Sequence, residues 1–212
     1  MLQSNLIKKL NFFKVAIIIL VTSITISPYL VRNYLAFEKI TVTKSFGYNL
    51  WKGNNTVSTV EGSESILAFN TDQIEQKINN LEKNNLYDFN YDKIFLDISL
   101  NFIIENKLLF IERYIKKFLT LTLFNFNSNY PNYYHPAHIV SLVFLSIFFI
   151  ASLIFIYKKK KSFYLNYLLL NLILTVGLFS IFFILPRYKL VILPLQLIII
   201  NFWLQKYFKK GV

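Results

Sequence analysis

The chain has 212 residues, 55% of them hydrophobic and 18% aromatic, with 16% charged side chains and no cysteine. This composition excludes a disordered tail, a disulfide scaffold, a zinc finger and an ordinary soluble enzyme, and its apolar runs of near twenty residues are long enough to cross a hydrocarbon layer about 30 Å thick. A formal charge of +12 raises the question of nucleic acid, but all 11 acidic residues lie between Glu38 and Glu112 beside seven Lys, while the other 16 cations sit at the ends of apolar runs. A nucleic-acid binder would gather its cations on one soluble face, so no such partner is expected.

Four apolar segments are expected to span a membrane: Phe12–Val31, Ile139–Tyr157, Phe163–Leu185 and Leu190–Phe208. The first could instead be a cleaved signal peptide, but its apolar core is long and no small-x-small cleavage site follows it. Lys8, Lys9 and Lys14 precede the first segment, Lys158–Lys161 separate the second from the third, and Lys206, Lys209 and Lys210 follow the fourth. The positive-inside rule puts these clusters on one side, with both termini cytoplasmic and residues 32–138 outside. The fold expected is therefore an all-α polytopic membrane protein in three parts. Residues 1–31 form a cytoplasmic N-terminus and first transmembrane helix, 32–138 a mostly helical outer domain, and 139–212 a three-helix membrane region with a cytoplasmic C-terminus.

The outer region opens with β-compatible, turn-rich sequence, Ile40–Thr43 followed by Gly47, Gly53-Asn54-Asn55 and Gly62. Asp72 and Glu75 resemble a capping box, and Ile74, Ile78 and Leu81 recur at helical spacing, which predicts a short amphipathic helix over 72–84. A second helix is expected from Tyr91 to Glu105. Residues 108–126 are apolar around most of the circumference but carry Arg113, Lys116 and Lys117 on one stripe, the pattern of an interfacial helix, with a fifth full span as the competing reading. Tyr130-Pro131-Asn132-Tyr133-Tyr134-His135-Pro136 suits the headgroup layer.

Pro186-Arg187-Tyr188-Lys189, between the last two spans, breaks the charge rule by holding two cations at the outer rim. They either snorkel to lipid phosphates or form a clamp for a lipid-linked phosphate, Arg187 offering a bidentate fork and Lys189 a point charge. Arg32, beyond Pro28 at the outer end of the first span, repeats the placement and is a weaker candidate. The run Gly47 to Asn55 joins glycines to Trp51, Asn49 and Asn54, which suit a sugar-binding surface, although on chemistry alone a tight turn packed on the membrane is the favoured reading. Asn54-Asn55-Thr56 also fits a glycosylation sequon. No Gly-rich phosphate loop, His/Glu metal spacing or nucleophile elbow is present, so neither a metal nor a cofactor is expected.

Taken in order, Pro28-Tyr29-Leu30-Val31-Arg32-Asn33-Tyr34, the run Gly47-Tyr48-Asn49-Leu50-Trp51-Lys52-Gly53-Asn54-Asn55, the stretch 91–126 and the closing element Arg187-Tyr188-Lys189 with Pro194 resemble the C-terminal part of a GT-C membrane glycosyltransferase. That group contains bacterial lipid-linked-sugar transferases, aminoarabinose transferases and protein O-mannosyltransferases. The resemblance, over about residues 15–205, implies transfer of a sugar from a polyprenyl-phosphate donor to an envelope acceptor at the bacterial inner membrane. Arg187, Tyr188, Lys189 and Arg32 would then contact the donor, while Trp51, Asn49 and Asn54 would shape the outer cavity. The family's catalytic Asp lies in the first outer loop of a longer chain, and here no acidic residue precedes Glu38. Lys189 also stands where Arg is common, and Asn106-Lys107 replaces a frequent Pro. The resemblance therefore implies a fragment, a split half that works with an N-terminal partner, or a degenerate copy without its own catalytic residue. The alternative is a non-enzymatic membrane scaffold whose outer domain binds a partner.

Overall fold

The computed structural model describes residues 2–63, 71–157 and 163–208. Among the described residues eight α-helices follow one another: α1 (Leu2–Phe37), α2 (Phe46–Gly53), α3 (Thr71–Asn79), α4 (Tyr87–Glu105), α5 (Lys107–Thr122), α6 (Pro136–Tyr157), α7 (Phe163–Ser180) and α8 (Lys189–Phe208). A 3-10 turn, Pro186–Tyr188, leads into α8. Among the described residues there is no strand. The side chains of Lys8, Lys9, Asp72 and Lys206, and all of Lys158–Lys161, Lys209 and Lys210, lie outside the described residues, and with them the capping box and most of the charge clusters.

Among the described residues three helical stretches are long and apolar enough to cross a membrane: Phe12–Phe37, Pro136–Tyr157 and Pro186–Gln205. The segment expected as another span, Phe163–Leu185, leaves the helix at Ser180, so that its apolar helical part, Tyr164–Ser180, is shorter. Two causes act on residues 181–185. Pro186 crowds the residue before it out of the helical region, and Leu185 is extended at φ −96° and ψ 150°. The Ile184 N–H is also drawn away, donating to the Val60 carbonyl at 2.9 Å.

The core lies among α6, α7, α8 and the end of α5, where Leu121, Phe149, Leu172, Val176, Ile192 and Ile199 are buried together. Pro194 sits inside a continuous α8. Helix α1 runs to Phe37, six residues past the expected end, because nothing in Arg32–Phe37 breaks a helix; Glu38 does, at φ 54°. The most apolar stretch of α1 buries nothing against the other described residues. Its outer end is fastened by the Asn33 amide donating to the Thr41 carbonyl at 2.7 Å and by Phe37 meeting Phe89 edge-on at 5.6 Å.

The turn-rich opening of the outer region contains a helix where a tight turn was expected. Eight residues make a poor isolated helix, since nucleation is costly. Helix α2 is held by α4, on which it packs through Tyr48, Trp51, Tyr91 and Phe95, with Trp51 and Phe95 ring centroids 4.8 Å apart. The Asp92 carboxylate accepts the Gly47 and Tyr48 N–H groups at 2.9 and 2.8 Å, capping its first turn. Gly47 permits this approach, because a Cβ there would collide with the Asp92 carbonyl and Leu96.

Candidate functional site

Helix ends decide where most of the cations near the site point. The last carbonyls of a helix lack intrahelical donors and carry partial negative charge. At the C-terminal end of α2, Lys117 of α5 donates to the Gly53 carbonyl at 2.8 Å, and Arg113, one turn earlier, donates to the Asn55 and Thr56 carbonyls at 2.5 and 3.2 Å. Lys117 is fully buried; burial pushes its ammonium down to about 7, with the charge of Arg113 adding to the effect. At the C-terminal end of α5 the Lys189 ammonium donates to the carbonyls of Leu121, Thr122 and Leu123 at 2.8, 2.6 and 2.7 Å. Gln196, two turns further along α8, adds a second bond to the Thr122 carbonyl at 2.7 Å.

These bonds separate two residues expected to act together. Lys189 faces inward and uses its three donors on the end of α5, whereas its neighbour Arg187 is exposed. Arg187 lines a cavity of about 480 Å³ whose walls also include Lys52 of α2, Glu61, Gly62 and Ser63 of the following loop, and Asn129, Tyr130 and Pro131 of the aromatic loop. Lys52 lies within the Gly47–Asn55 run, so this run and the Arg187 turn border one cavity. Glu61 forms part of a second, more apolar cavity of about 220 Å³, lined by Leu123, Phe124, Leu142, Leu185, Leu190 and His138 among others.

The remaining expected site residues lie elsewhere. Tyr188 stacks its ring near Phe179 and Phe183, and shares with Asn49 a separate pocket of about 240 Å³. Trp51 is packed in the α2–α4 aromatic cluster. Asn54 is buried, its amide donating to the Leu50 and Ile181 carbonyls at 2.8 Å each, so the sequon asparagine is closed to modification in this fold. Arg32 is exposed on α1 and lines neither cavity that contains Glu61. The two histidines serve the start of α6: His135 Nδ1 receives the Ala137 N–H at 3.3 Å, and His138 Nδ1 meets the Tyr133 carbonyl at 2.9 Å. No cluster of three or more His, Asp or Glu able to hold a metal ion occurs among the described residues.

Sequence reasoning missed Lys52 and Glu61. A signal for Glu61 was present: it is the one charge between Gly53 and Ser63, set between Val60 and Gly62. Chemically, the larger of these two cavities is lined by one lysine and one arginine, with a glutamate at its wall and residues bearing amide, hydroxyl and phenol groups around it. That set can hold an anionic group while hydrogen bonding to neutral hydroxyls. Comparison with known proteins adds no identity: no family model, no curated protein and no solved structure matches the chain.

Proposed function

We propose that the chain is the C-terminal part of a membrane glycosyltransferase of the GT-C kind, crossing the bacterial inner membrane four times with both termini in the cytoplasm, and that it grips the phosphate of a polyprenyl-linked sugar. The observation that carries this reading is the convergence of Lys52 and Arg187, far apart in sequence, on one polar cavity. In the transfer, the bond between the sugar's anomeric carbon and the phosphate oxygen breaks and a bond from an acceptor hydroxyl to that carbon forms. The acceptor proton passes to a general base, and the polyprenyl phosphate leaves with additional negative charge. Lys52 and Arg187 stabilise that developing charge. The base belongs, on the family resemblance, to the family's first outer loop and is not assigned to a residue of this chain. The placement of Lys189 narrows the expected clamp, since the cation that partners Arg187 is Lys52.

Binding of undecaprenyl phosphate to the full chain in lipid nanodiscs tests the proposal, with undecaprenol as the neutral control. The phosphate is expected to bind and the alcohol to bind much more weakly. Arg187→Ala and Lys52→Ala should each weaken the phosphate about tenfold or more, as the loss of a charge-assisted hydrogen bond does. Arg32→Ala should leave affinity unchanged. Equal binding of alcohol and phosphate, or wild-type affinity in both cavity variants, would refute the reading. It would favour the scaffold alternative, in which changes on α3 and α4 disturb function and Arg187→Ala does not.

A further inference from the structure

The walls of the Lys52–Arg187 cavity come from three separate stretches of chain, and they meet at the loop 58–63. Backbone bonds fix that loop to two of them. The Ser58 hydroxyl and the Ser63 N–H both donate to the Lys52 carbonyl, at 2.8 and 2.9 Å, which joins the loop to the end of α2. The Val60 carbonyl accepts the Ile184 N–H at 2.9 Å, which joins it to the segment leading to Arg187. Gly62, at φ 80°, completes the bend, and a Cβ there would press on the Lys52 carbonyl and the Phe183 side chain.

The third wall, Asn129-Tyr130-Pro131, is attached to the loop by a side chain. One oxygen of the Glu61 carboxylate accepts the Asn125 amide at 2.9 Å and the Ser128 hydroxyl, and the other accepts the Asn129 N–H at 2.8 Å. All three donors are neutral and come from five consecutive residues. Glu61 is buried, 9% exposed, and burying a carboxylate is costly unless its oxygens are hydrogen bonded. The aromatic loop supports the same stretch from behind, since the Tyr133 hydroxyl accepts the Asn125 N–H at 2.7 Å and the Tyr134 hydroxyl accepts the Ser128 N–H at 2.6 Å. Donors converge on both carboxylate oxygens, so an amide in place of the carboxylate would turn an N–H₂ group toward at least one of them.

We propose that Glu61 is a positioning residue: it pins the 125–131 stretch against the 58–63 loop and thereby sets the width of the cavity into which Lys52 and Arg187 reach. Its value for catching an anion rests on the phosphate-binding reading, but the width itself can be measured without a ligand. With three protein donors already on its oxygens, Glu61 works through the wall it holds.

The chain has no cysteine, so Val57→Cys and Asn127→Cys place a spin-label pair cleanly on the two loops, at positions that are both exposed. Double electron–electron resonance on the ligand-free full chain in nanodiscs should give a narrow distance distribution for the parent pair. Glu61→Gln should broaden it, Glu61→Ala should broaden it further, and Ser128→Ala, which removes one donor and keeps the carboxylate, should fall between the parent and Glu61→Ala. The last variant carries the test if Glu61→Ala does not fold. Undecaprenyl phosphate affinity should fall about tenfold in Glu61→Ala with Lys52 and Arg187 intact. An unchanged distribution in Glu61→Gln and Ser128→Ala overturns the proposal, and so does a broadened one with parental affinity. If the parent does not bind the lipid phosphate, the phosphate reading fails, while the distances still decide whether Glu61 sets the width.

Discussion

Replacing Lys189 with Met deletes the ammonium and keeps most of the apolar stem, so it isolates the cap on α5. Three bonds disappear, to the Leu121, Thr122 and Leu123 carbonyls. Thr122 keeps its bond from Gln196, which leaves the Leu121 and Leu123 carbonyls without the donor they have now. A buried polar group left without its partner costs about 1–3 kcal/mol, so two of them cost about 2–6 kcal/mol. The adjoining cavity of about 220 Å³ can admit a water to one of them, which places the expected loss in the lower half of that range, about 3 kcal/mol. Loss of a positive charge at a helix C-terminus acts in the same direction. Equilibrium unfolding in detergent, followed through Trp51 and Trp203, measures the loss directly. Arg187→Met, two positions away and exposed, should stay within about 0.5 kcal/mol of the parent. For undecaprenyl phosphate binding the order should reverse, with Arg187→Met the weaker binder among folded samples. A Lys189→Met protein of parental stability that has lost the lipid phosphate would refute the assignment of this ammonium to the helix end.

Three further outcomes follow from the same bonds. Because Lys117 has a folded-state value of about 7 against an ordinary 10.5, the unfolded chain holds its proton to higher pH. The destabilisation from its buried charge is therefore fully present below about pH 7, and stability should rise by a few kcal/mol between about pH 7 and 10.5. Lys117→Met should flatten that rise in unfolding curves taken across the range, and an equally steep rise in the variant would show that another group causes it. Asp92→Ala should cost about 1–2 kcal/mol in the same unfolding assay through loss of the α2 cap, with the exposed Asp97→Ala on the same helix near neutral; equal effects would remove the capping argument. Gly53→Ala should abolish the monodisperse folded species in size-exclusion chromatography, because its Cβ would collide with the backbone carbonyl of Phe182, and a well-folded Gly53→Ala protein would contradict the packing of α2 on residues 181–183.

What the sequence disclosed and what it hid divide by the range of the interactions. The apolar runs that became α1, α6 and α8 could be read directly, because hydrocarbon length is a local property of the chain. Helices α4 and α5 could be placed within a few residues for the same reason, their apolar periodicity being local. The 46–53 segment reads as a turn because its two glycines, with Asn49 inside it and Asn54 and Asn55 directly after it, argue against a helix. Its caps come from Asp92 at one end and from Arg113 and Lys117 at the other, partners that only the folded chain brings near. The end of α7 at Ser180 likewise depends on Val60. Arg187 and Lys189 were visible together as misplaced cations, but nothing local distinguishes a cation that caps a helix from one that faces a cavity. Glu61 looked like the other acids because its burial is created by residues 125–129.

On the proposed phosphate-binding reading, specificity rests on how the cations are sorted by partner. Lys117 and Lys189 end on helix-terminal carbonyls and Arg113 on the Asn55 and Thr56 carbonyls just beyond α2, and each carbonyl so occupied neutralises part of the charge that a passing anion would feel. Lys116 is paired with the exposed Glu112 of its own helix, and Lys44 with Asp88. Lys52 and Arg187, for their part, both line the polar cavity of about 480 Å³, where the Lys52 ammonium lies 4.7 Å from the centre of the Phe183 ring. Neither can hold a phosphate diester or monoester well alone at an interface already crowded with lipid phosphates, since a lone surface cation discriminates little among them. Discrimination needs both at once, at a fixed separation. The separation is set by the 58–63 loop, through its backbone bonds to Lys52 and Ile184, and by Glu61, through its grip on the facing wall. Selectivity for a lipid-linked phosphate over bulk headgroups should therefore be lost by loosening the loop as readily as by removing a charge, and loosening it should leave the electrostatic attraction to an anionic membrane intact.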